Sequence, residues 1–303
     1  NDRIYSVTTK DFLDFDNWEI VIEHGIFQHV CNVNALGFAD GSYQLVCTVY
    51  PDTEGFNKPA MFFSPDGKKW NGDLAPHSGK IDDIVQMTGY DKYKDADING
   101  MNVILKEGTT TYLYFGNFRD FNKVQRASSP DGKNFKYDGI CLPAGLAVND
   151  VKKFVVDGKN WYLMGLHMNT DKLWYALSND GMKFATEKVM FNCLGAADKY
   201  IVALGWVVDG GRLLGVVYGA GNDGGLYRNR IFARWLQKGV KFIDEQGKEY
   251  SPAGSFGPNR VIFAVPDGTK QKGTIEVTSE DGRTVIERIE VELNSGWIYS
   301  LEK

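Results

Sequence analysis

Aspartates recur at one point of a repeated pattern in this 303-residue chain, shortly before a run of apolar residues. Asp97, Asp150 and Asp198 hold these positions. Carboxyl groups that converge on one cavity repel one another, which keeps one ionised and lets another retain its proton. Such a pair can hydrolyse a glycosidic bond, one carboxyl acting as base or nucleophile and the other as acid. We therefore predict Asp97, Asp150 and Asp198 as catalytic residues, while a role for each in capping a turn or bonding a neighbouring element stays open.

Seven further side chains are predicted to bind a substrate rich in hydroxyl groups. Asn32 and Asn34 stand at the corresponding point of the first repeat, and amides both donate and accept hydrogen bonds. Rings such as those of Trp206 and Tyr218 can stack on a sugar. For the histidines and for Trp206, a packing role is the alternative. The predicted binding residues are Asn32, Asn34, His29, Arg119, His167, Trp206 and Tyr218.

The clearest positioning element is the segment from Asn149 to Phe184, which contains three runs rich in β-forming residues. Short turns at Asp157-Gly158 and Asn179-Asp180-Gly181 separate or follow these runs. Tight Asp-Gly turns between such runs indicate hairpins stacked into a meander. The predicted strands are Val151–Val156, Trp161–Leu166 and Leu173–Ser178.

A turn motif, Ser-x-Asp-Gly-x-x-Trp/Phe, occurs three times, beginning at Ser64, Ser129 and Ser178. Serine and aspartate side chains bond the backbone of a turn, and glycine adopts the positive φ that such a turn requires. The aromatic residue is predicted to fill the gap to the next unit. The motif therefore indicates a repeated β unit.

Five such units are predicted, with hairpin turns at Asp40, Glu107, Asp157, Asp209 and Asp281. Repeats of about 50–70 residues with three or four strands and no convincing helix indicate an all-β, five-bladed β-propeller. One blade cannot bury its faces alone, so we expect residues 1–303 to form a single domain. A β-sandwich is the alternative. The predicted blades are residues 19–74, 97–140, 149–190, 198–240 and 255–303.

Two predictions concern the ends of the chain. The segment from Asn1 to Trp18 is predicted as a lead-in to the first blade, with its acidic cluster of Asp11, Asp14 and Asp16 in a solvated turn. The strands predicted to form the fifth blade are Arg260–Val265, Thr274–Ser279, Arg283–Leu293 and Trp297–Leu301. In a propeller the innermost strands line a central channel, so we expect the predicted site residues to meet there.

Composition and charge exclude some classes of partner. A net charge of −5 and a pI of about 5.5 argue against nucleic acid, which requires a basic face. No apolar run approaches the roughly 20 residues of a membrane span. The sequence starts at Asn1 without methionine or a signal peptide, so we expect a leader to have been removed and the protein to be secreted or periplasmic. We also expect a monomer.

Cysteine spacing predicts no metal cofactor. None of the four cysteines, Cys31, Cys47, Cys141 and Cys193, forms a CxxC pair, which makes a zinc site improbable. We expect buried free thiols, with a Cys31–Cys47 bridge as the alternative. No motif supports a structural calcium ion on the propeller axis, although such an ion is compatible with the predicted fold.

The elements -DGKNWYL- and -SPDGKKW- resemble those of the five-bladed propeller glycoside hydrolases. That group includes arabinanases, xylosidases, arabinofuranosidases, the invertase and levansucrase group and the anhydrogalactosidases. The resemblance implies a base Asp on blade one, an orienting or pKa-tuning Asp on a middle blade, and an acidic Glu on a later blade. Asp150 matches the middle residue, and Asp198 lies near the position of the acid. Blade one carries Asn32 and Asn34, and since asparagine cannot accept the proton, either Asp97 is the base or the chain is an inactive relative.

These patterns predict a glycoside hydrolase that acts on a plant or algal poly- or oligosaccharide, with inversion expected from the resemblance. Asp97 or Asp150 would be the base and Asp198 the acid, while His167 and Arg119 would orient sugar hydroxyls. The alternative is a carbohydrate-binding propeller, a lectin or sensor that does not cleave its ligand. A phosphate- or metal-dependent enzyme would need a cluster of histidines or carboxylates, and the chain has only four histidines.

Overall fold

A computed structural model shows a nearly all-β protein, as predicted. It describes residues 2–10, 14–50, 56–100, 102–156, 158–193, 195–209, 211–224, 228–235, 239–250, 254–255, 260–263, 270–278, 284–294 and 298–300. Its regular elements within these ranges are β-strands and four short 3₁₀ helices, and none of its helices is long and apolar enough to cross a membrane. The 3₁₀ helices are Ile81–Asp83, Tyr93–Asp95, Phe118–Asp120 and Ala196–Asp198.

The chain divides into two compact units, Asn1–Val148 and Asn149–Lys303. The single domain predicted above therefore stays a prediction, and each unit is described by itself. The strands of the first unit are β1 Ile4–Thr8, β2 Asp16–Glu23, β3 His29–Gly37, β4 Tyr43–Tyr50, β5 Lys58–Ser64, β6 Lys69–Trp70, β7 Asp73–Leu74, β8 His77–Ser78, β9 Gln86–Thr88, β10 Val103–Glu107, β11 Thr110–Gly116, β12 Val124–Ser129 and β13 Asn134–Leu142.

Four sheets build the first unit, in the strand orders β1-β2-β8, β3-β4-β5, β6-β7 and β10-β11-β12-β13-β9. Strand β4 explains how they stack, because six of its residues in a row are buried. Successive side chains of a strand point to opposite faces. Leu45 and Cys47 accordingly enter the core shared with β1 and β2, while Val46 enters the core shared with β10 and β11. The sheet of β3, β4 and β5 is therefore covered on both faces.

The second unit repeats this construction with longer strands. Its sheets have the orders β14-β15-β16-β17, β18-β19-β20, β22-β21-β25-β26 and β23-β24-β27. The strands are β14 Ala147–Val156, β15 Lys159–His167, β16 Lys172–Ser178, β17 Lys188–Asn192, β18 Tyr200–Asp209, β19 Arg212–Gly221, β20 Arg230–Trp235, β21 Val240–Asp244, β22 Glu249–Tyr250, β23 Gly254–Ser255, β24 Arg260–Ile262, β25 Lys270–Thr278, β26 Val285–Asn294 and β27 Ile298–Ser300.

The sheets β14–β17 and β18–β20 share one core. Strand β15 packs on β18, and the fit depends on Gly165. A Cβ atom at Gly165 would lie 2.5 Å from Leu204 Cδ1 and 3.0 Å from Trp206 Cζ2. Both residues are buried in that core, so the missing side chain of Gly165 lets the two sheets approach.

The three Ser-x-Asp-Gly turns have the predicted bonding. In the second copy, Gly132 N donates to Ser129 Oγ at 2.8 Å, and the backbone amides of Lys133 and Asn134 donate to Asp131 Oδ1 at 2.9 and 2.8 Å. The turns at Ser64 and Ser178 form the same bonds. Asn134 Nδ2 also donates to Asp131 Oδ2 at 2.7 Å, and this hydrogen bond, together with those from the backbone amides, favours the ionised carboxylate and holds the pKa of Asp131 well below its usual range. The aromatic residues that close the three motifs, Trp70, Phe135 and Phe184, are buried.

The prediction for the fifth repeat was wrong. Strands β25 and β26 pair with each other and join β21, whereas β24 pairs with β23 and β27 in another sheet. The repeat therefore contributes to two sheets, and Val240–Asp244, which the sequence analysis did not assign to a strand, lies between β22 and β25. The predicted turn residues Asp157 and Asp281 lie outside the described residues.

The first 18 residues are not only a lead-in, because parts of them form strands, while Asp14 and Asp16 of the acidic cluster are exposed, as predicted. Strand β1 forms a hairpin with β2, and β2 continues in parallel to β8, with Ile22 opposite His77. Ile4, Val21 and Ile22 are buried. The segment therefore closes one side of the first core, and Asp11 of the acidic cluster lies outside the described residues.

Gly25→Ala is expected to lower the free energy of unfolding by about 2–3 kcal/mol. Gly25 has φ +57°, which an alanine adopts only at a cost, and a Cβ there would lie 2.2 Å from Gly79 O. Urea unfolding of the two proteins measures the difference. Gly41→Ala is the matched control, because Gly41 also has positive φ but a Cβ there meets nothing within 4 Å. Equal losses for both variants would show that the close approach to Gly79 costs little.

Candidate active site

The two blade-one asparagines belong to the framework of the first unit. Asn34 is buried, and its Oδ1 accepts a hydrogen bond from Ile104 N at 3.1 Å, which ties β3 to β10. Asn32 has φ +55° and lies in a bulge of β3, where the register against β4 shifts between Cys31 and Asn34. Asparagine tolerates this left-handed conformation better than most residues. The bulge therefore explains Asn32 without a ligand.

His29 begins the same strand and is partly exposed. Its Nδ1 lies 3.2 Å from Asp2 Oδ2, and its ring meets the edge of Tyr50 at 5.3 Å between centroids. Tyr50 OH in turn donates to Asn99 Oδ1 at 3.3 Å. His29 therefore lies at the end of β3 where the loop around Asn99 passes.

Asp97 is half-buried in that loop and is held by amides. Its Oδ1 accepts hydrogen bonds from Asn57 N at 3.2 Å and from Asn57 Nδ2 at 2.6 Å. Its backbone N donates to Asn117 Oδ1, and its backbone O accepts from Phe118 N at 2.8 Å. Within the described residues no cation hydrogen-bonds to this carboxylate. Asp97 is thus a fixed carboxylate with neutral donors.

Lys58, which the sequence analysis missed, lies beside Asp97. Its Nζ donates to Ala96 O at 2.5 Å and to Lys94 O at 3.3 Å, and it lies over the ring of Tyr93 at 5.2 Å. Burial lowers the pKa of Lys58 to about 8, although the charge of Asp97 opposes the shift. The sequence did contain a signal for Lys58. The polar pair Asn57-Lys58 stands at the start of an apolar run, as the predicted aspartates do in the other repeats.

Arg119 lies near this group and is exposed. Its guanidinium carbon is 4.6 Å from the ring centroid of Phe56, and Nη1 donates to Asp95 O at 3.4 Å. The five donors of an arginine suit hydroxyl or carboxylate groups. The first unit therefore brings Asp97, Arg119 and Lys58 together. Asp97 contacts Asn57, Arg119 contacts Phe56 and Asp95, and Lys58 contacts Lys94 and Ala96.

In the second unit, Asp150 connects two sheets. It lies on β14, is 2% exposed, and its Oδ2 accepts a hydrogen bond from Trp206 N on β18 at 2.8 Å. Its Oδ1 accepts from Lys152 Nζ at 2.8 Å. Both oxygens are thus bonded to donors, one of them charged, which fixes the orientation of the carboxylate. Trp206 itself is buried in the core, as the packing alternative predicted.

Asn149 precedes Asp150 and is fully buried. Its Oδ1 and Nδ2 have no hydrogen-bond partner in the part of the chain that the structure describes. A buried amide without partners is rare and costly. His167 ends the adjacent strand β15 and is 9% exposed. Strand β14 therefore carries a buried side-chain amide, that of Asn149, without a hydrogen-bond partner among the described residues.

Asp198 forms a buried ion pair. Its Oδ2 lies 3.4 Å from Arg234 Nη2 and accepts a hydrogen bond from Tyr218 OH at 3.0 Å, while Oδ1 accepts from Gly195 N. Arg234 also packs over the ring of Phe191 at 3.8 Å. Burial raises the pKa of Tyr218 to about 12, so its hydroxyl stays a donor. Sequence reasoning missed Arg234, since its strand carries both Arg230 and Arg234 and the sequence does not show which of the two is buried.

The cysteines in the structure are free thiols. Burial raises the pKa of Cys31 to about 11 and that of Cys141 to about 12, which makes both thiols poor nucleophiles. Among the described residues, no three His, Cys, Asp or Glu side chains are placed to hold a metal ion. The axial calcium considered above stays without support from a donor set.

Solved structures share this fold along most of the chain. The Bombyx mori GH32 beta-fructofuranosidase BmSUC1 aligns with 98% of this chain and 82% of its own, at 11% identity and a TM-score of 0.51. The exo-beta-1,3-galactanase Pc1,3Gal43A from Phanerochaete chrysosporium aligns with 97% of this chain and 84% of its own, at 12% identity and a TM-score of 0.52. A protein described with the GH130 family covers 78% and 75%, at 13% identity and 0.52.

These neighbours are glycoside hydrolases with a five-bladed propeller, and their likeness confirms the resemblance predicted from the sequence. Identities of 11–13% establish a shared fold and not a shared activity. No protein-family model and no curated protein matches the chain at the level of sequence.

Proposed function

We propose that this protein is a five-bladed propeller glycoside hydrolase with a carbohydrate substrate. The observation that carries the proposal is the fold shared with two glycoside hydrolases over 97–98% of the chain. The fixed carboxylates of Asp97 and Asp150 supply the type of group that such chemistry needs. Because a shared fold does not establish a shared activity, the experiment must test individual residues of the candidate site.

Asp97 is the proposed base. It is half-buried, oriented by both amide groups of Asn57, and free of a hydrogen-bonded cation within the described residues. A base needs this combination, because a cation bonded to the carboxylate would weaken its attraction for a proton. Arg119 lies close enough to the same segment to orient a sugar hydroxyl.

Asp150 is proposed as an orienting residue instead of the base. Its two oxygens are bonded to Lys152 and to the backbone of Trp206, which fixes the orientation of the carboxylate. Asp198 is also engaged within the fold, since Arg234 Nη2 and Tyr218 OH both donate to its Oδ2. The predicted acid role of Asp198 is tested by adding Asp198→Asn to the reducing-sugar assay described below for Asp97 and Asp150.

The substrate class is proposed from the neighbours' names, which include a beta-fructofuranosidase and an exo-beta-1,3-galactanase solved with galactose. We propose a plant or algal poly- or oligosaccharide, cleaved with inversion by a secreted or periplasmic monomer. His29, Asn32, Asn34, His167, Trp206 and Tyr218 remain predicted binding residues, although the contacts of Asn34, Trp206 and Tyr218 also explain them structurally.

A second candidate function is carbohydrate binding without cleavage. The specific observation in its favour is that both carboxylates of the second unit are bonded to cations, while blade one carries amides. Such a protein would keep the pocket and lose the acid–base pair.

Reducing-sugar release from arabinan, xylan, fructan and algal galactan tests the proposal. Asp97→Asn is expected to lower kcat by at least about 100-fold, because removing a general base costs about 10²–10⁴ in rate. Asp150→Asn is expected to lower it less. Asp95→Asn is the matched control, since Asp95 lies two residues from Asp97 and is exposed. If no reducing sugar is released from any substrate, and if Asp97→Asn still binds a polysaccharide, the result would support the carbohydrate-binding protein instead.

A further inference from the structure

A cavity lies in the first unit, away from Asp97 and Arg119. Its volume is about 610 Å³, and it opens beside the β3–β4 turn and the Ser64 turn. Sites for small molecules typically measure about 300–1,000 Å³. The cavity is lined by Phe38, Asp40, Tyr43, Phe63, Asn71 and Lys106, among others. It therefore combines three aromatic rings with one acidic and one basic side chain.

Tyr43 is a rigid and exposed platform in this cavity. Its side chain is 41% exposed, although it begins the otherwise buried strand β4. The ring edges lie against two glycines, because a Cβ at Gly37 or Gly67 would meet the ring at 3.4 or 3.3 Å. Trp70 packs against it at 6.4 Å between centroids. A ring that is held on several sides and still exposed loses little entropy when a ligand stacks on it.

The two charged side chains of the cavity are opposite in sign. Asp40 Oδ1 accepts hydrogen bonds from Ser42 N at 3.0 Å and Ser42 Oγ at 2.6 Å, which leaves Oδ2 without a hydrogen bond in the described residues. Lys106 Nζ is held 5.1 Å above the Phe38 ring. A fixed acceptor and a fixed donor with no net charge suit a neutral molecule with many hydroxyl groups.

This cavity is separate from the candidate residues of its unit. His29 and its partner Tyr50 lie at one end of β3 and β4, and Gly37 and Tyr43 lie at the other. Strand β3 has nine residues, so its ends are roughly 25 Å apart at about 3.3 Å per residue. Asn99 and Gly100, which follow Asp97, bond to Tyr50 and Thr48 near the first end.

We infer that this cavity is a second carbohydrate-binding site, which takes a neutral saccharide unit by stacking on Tyr43 and bonding to Asp40 and Lys106. The choice of a saccharide rests on the proposed function. A site of this kind retains a polymer on the protein while the candidate active site acts on another part of the chain.

Native gel electrophoresis in the presence of arabinan, xylan, fructan or algal galactan tests the inference. At least one polysaccharide is expected to retard the protein, and Tyr43→Ala and Lys106→Gln are each expected to weaken the apparent Kd about tenfold. Tyr5→Ala is the matched control, because Tyr5 is 52% exposed in the same unit and does not line the cavity. Lys106→Gln keeps the inference testable if Tyr43→Ala does not fold, because Lys106 is exposed and its replacement should leave the fold intact.

Each outcome separates this inference from the proposed function. Retardation by no polysaccharide, or retardation that survives both cavity variants, overturns the inference, and reducing-sugar release then decides the hydrolase by itself. Retardation lost in Asp150→Asn but kept in Tyr43→Ala places all binding at the candidate active site and also overturns it. Retardation lost in both cavity variants, with no hydrolysis of any substrate, supports the second site and overturns the hydrolase.

Discussion

Arg234→Met is expected to lower the free energy of unfolding by about 3–5 kcal/mol, the usual cost of removing one partner of a buried ion pair. The side chains of Arg234 and Asp198 are 5% and 2% exposed, so the variant leaves a carboxylate away from water without its cation. Arg234 also donates to Tyr218 OH and to Asn192 O, and these bonds are lost with it. Urea unfolding measures the change.

Two further variants make this prediction specific. Arg230→Met is the matched control on the same strand, because Arg230 is exposed and its loss should cost under about 0.5 kcal/mol. The double variant Asp198→Asn with Arg234→Met should recover part of the stability, since the uncompensated charge is gone. A double variant as unstable as the sum of the single variants would show that the two side chains are not coupled.

The same cycle bears on the role of Asp198. If Asp198 serves the framework, Asp198→Asn should destabilise the protein, and any loss of activity should follow the loss of folded protein. An acid would behave differently, because Asp198→Asn would then abolish kcat in a protein of unchanged stability.

His77→Gln is expected to be similarly costly, at about 3–5 kcal/mol. His77 is buried, with Nε2 2.9 Å from Asp83 Oδ2. Its Nδ1 lies 2.9 Å from Asp73 Oδ2, an ion-pair contact without hydrogen-bond geometry. Glutamine cannot contact both carboxylates in the same way, so buried Asp83 loses the contact with the imidazole ring. Thermal and urea unfolding measure the loss, and His29→Gln, at a partly exposed histidine paired with Asp2, is the control.

The pH dependence of stability gives a second test of this cluster. Burial opposes ionisation of Asp83, but hydrogen bonds from His77, Lys80 and Asn71 outweigh it and lower the pKa of Asp83. A carboxyl with a lowered folded-state pKa stabilises the protein fully above its unfolded pKa of about 3.9. This contribution is lost as the pH falls through the folded-state pKa. In His77→Gln the loss below about pH 4 should be smaller, and an unchanged acid limb would contradict the assignment.

These clusters matter for function because they fix the segments that carry the candidate residues. Asp198 and Arg234 hold the start of β18, the strand whose Trp206 amide binds Asp150. His77 and Asp83 hold the segment that leads toward β9. Catalytic or binding groups need such support, since a displacement of about 1 Å can remove most of their effect.

The sequence by itself determined the local structure. Apolar runs and Asp-Gly turns predicted Val151–Val156, Trp161–Leu166 and Leu173–Ser178, which lie within β14, β15 and β16, and the Ser-x-Asp-Gly motif predicted its own hydrogen bonds. These features depend on residues close in the chain, through φ preferences and side-chain bonds to nearby amides. The same local pattern predicted a strand next to Asp150, and Asp150 lies within β14.

The tertiary structure decided which elements and side chains became partners. A period of two residues tells which face of a strand is apolar but not which strand lies beside it, so the fifth repeat was assigned to one sheet while its strands lie in two. The bonds of Asp150 to Trp206, of Asp198 to Arg234, and of Asp97 to Asn57 join residues 56, 36 and 40 positions apart. Because charge compensation of a buried carboxylate depends on such distant neighbours, the roles of these aspartates follow from packing and not from their spacing in the chain.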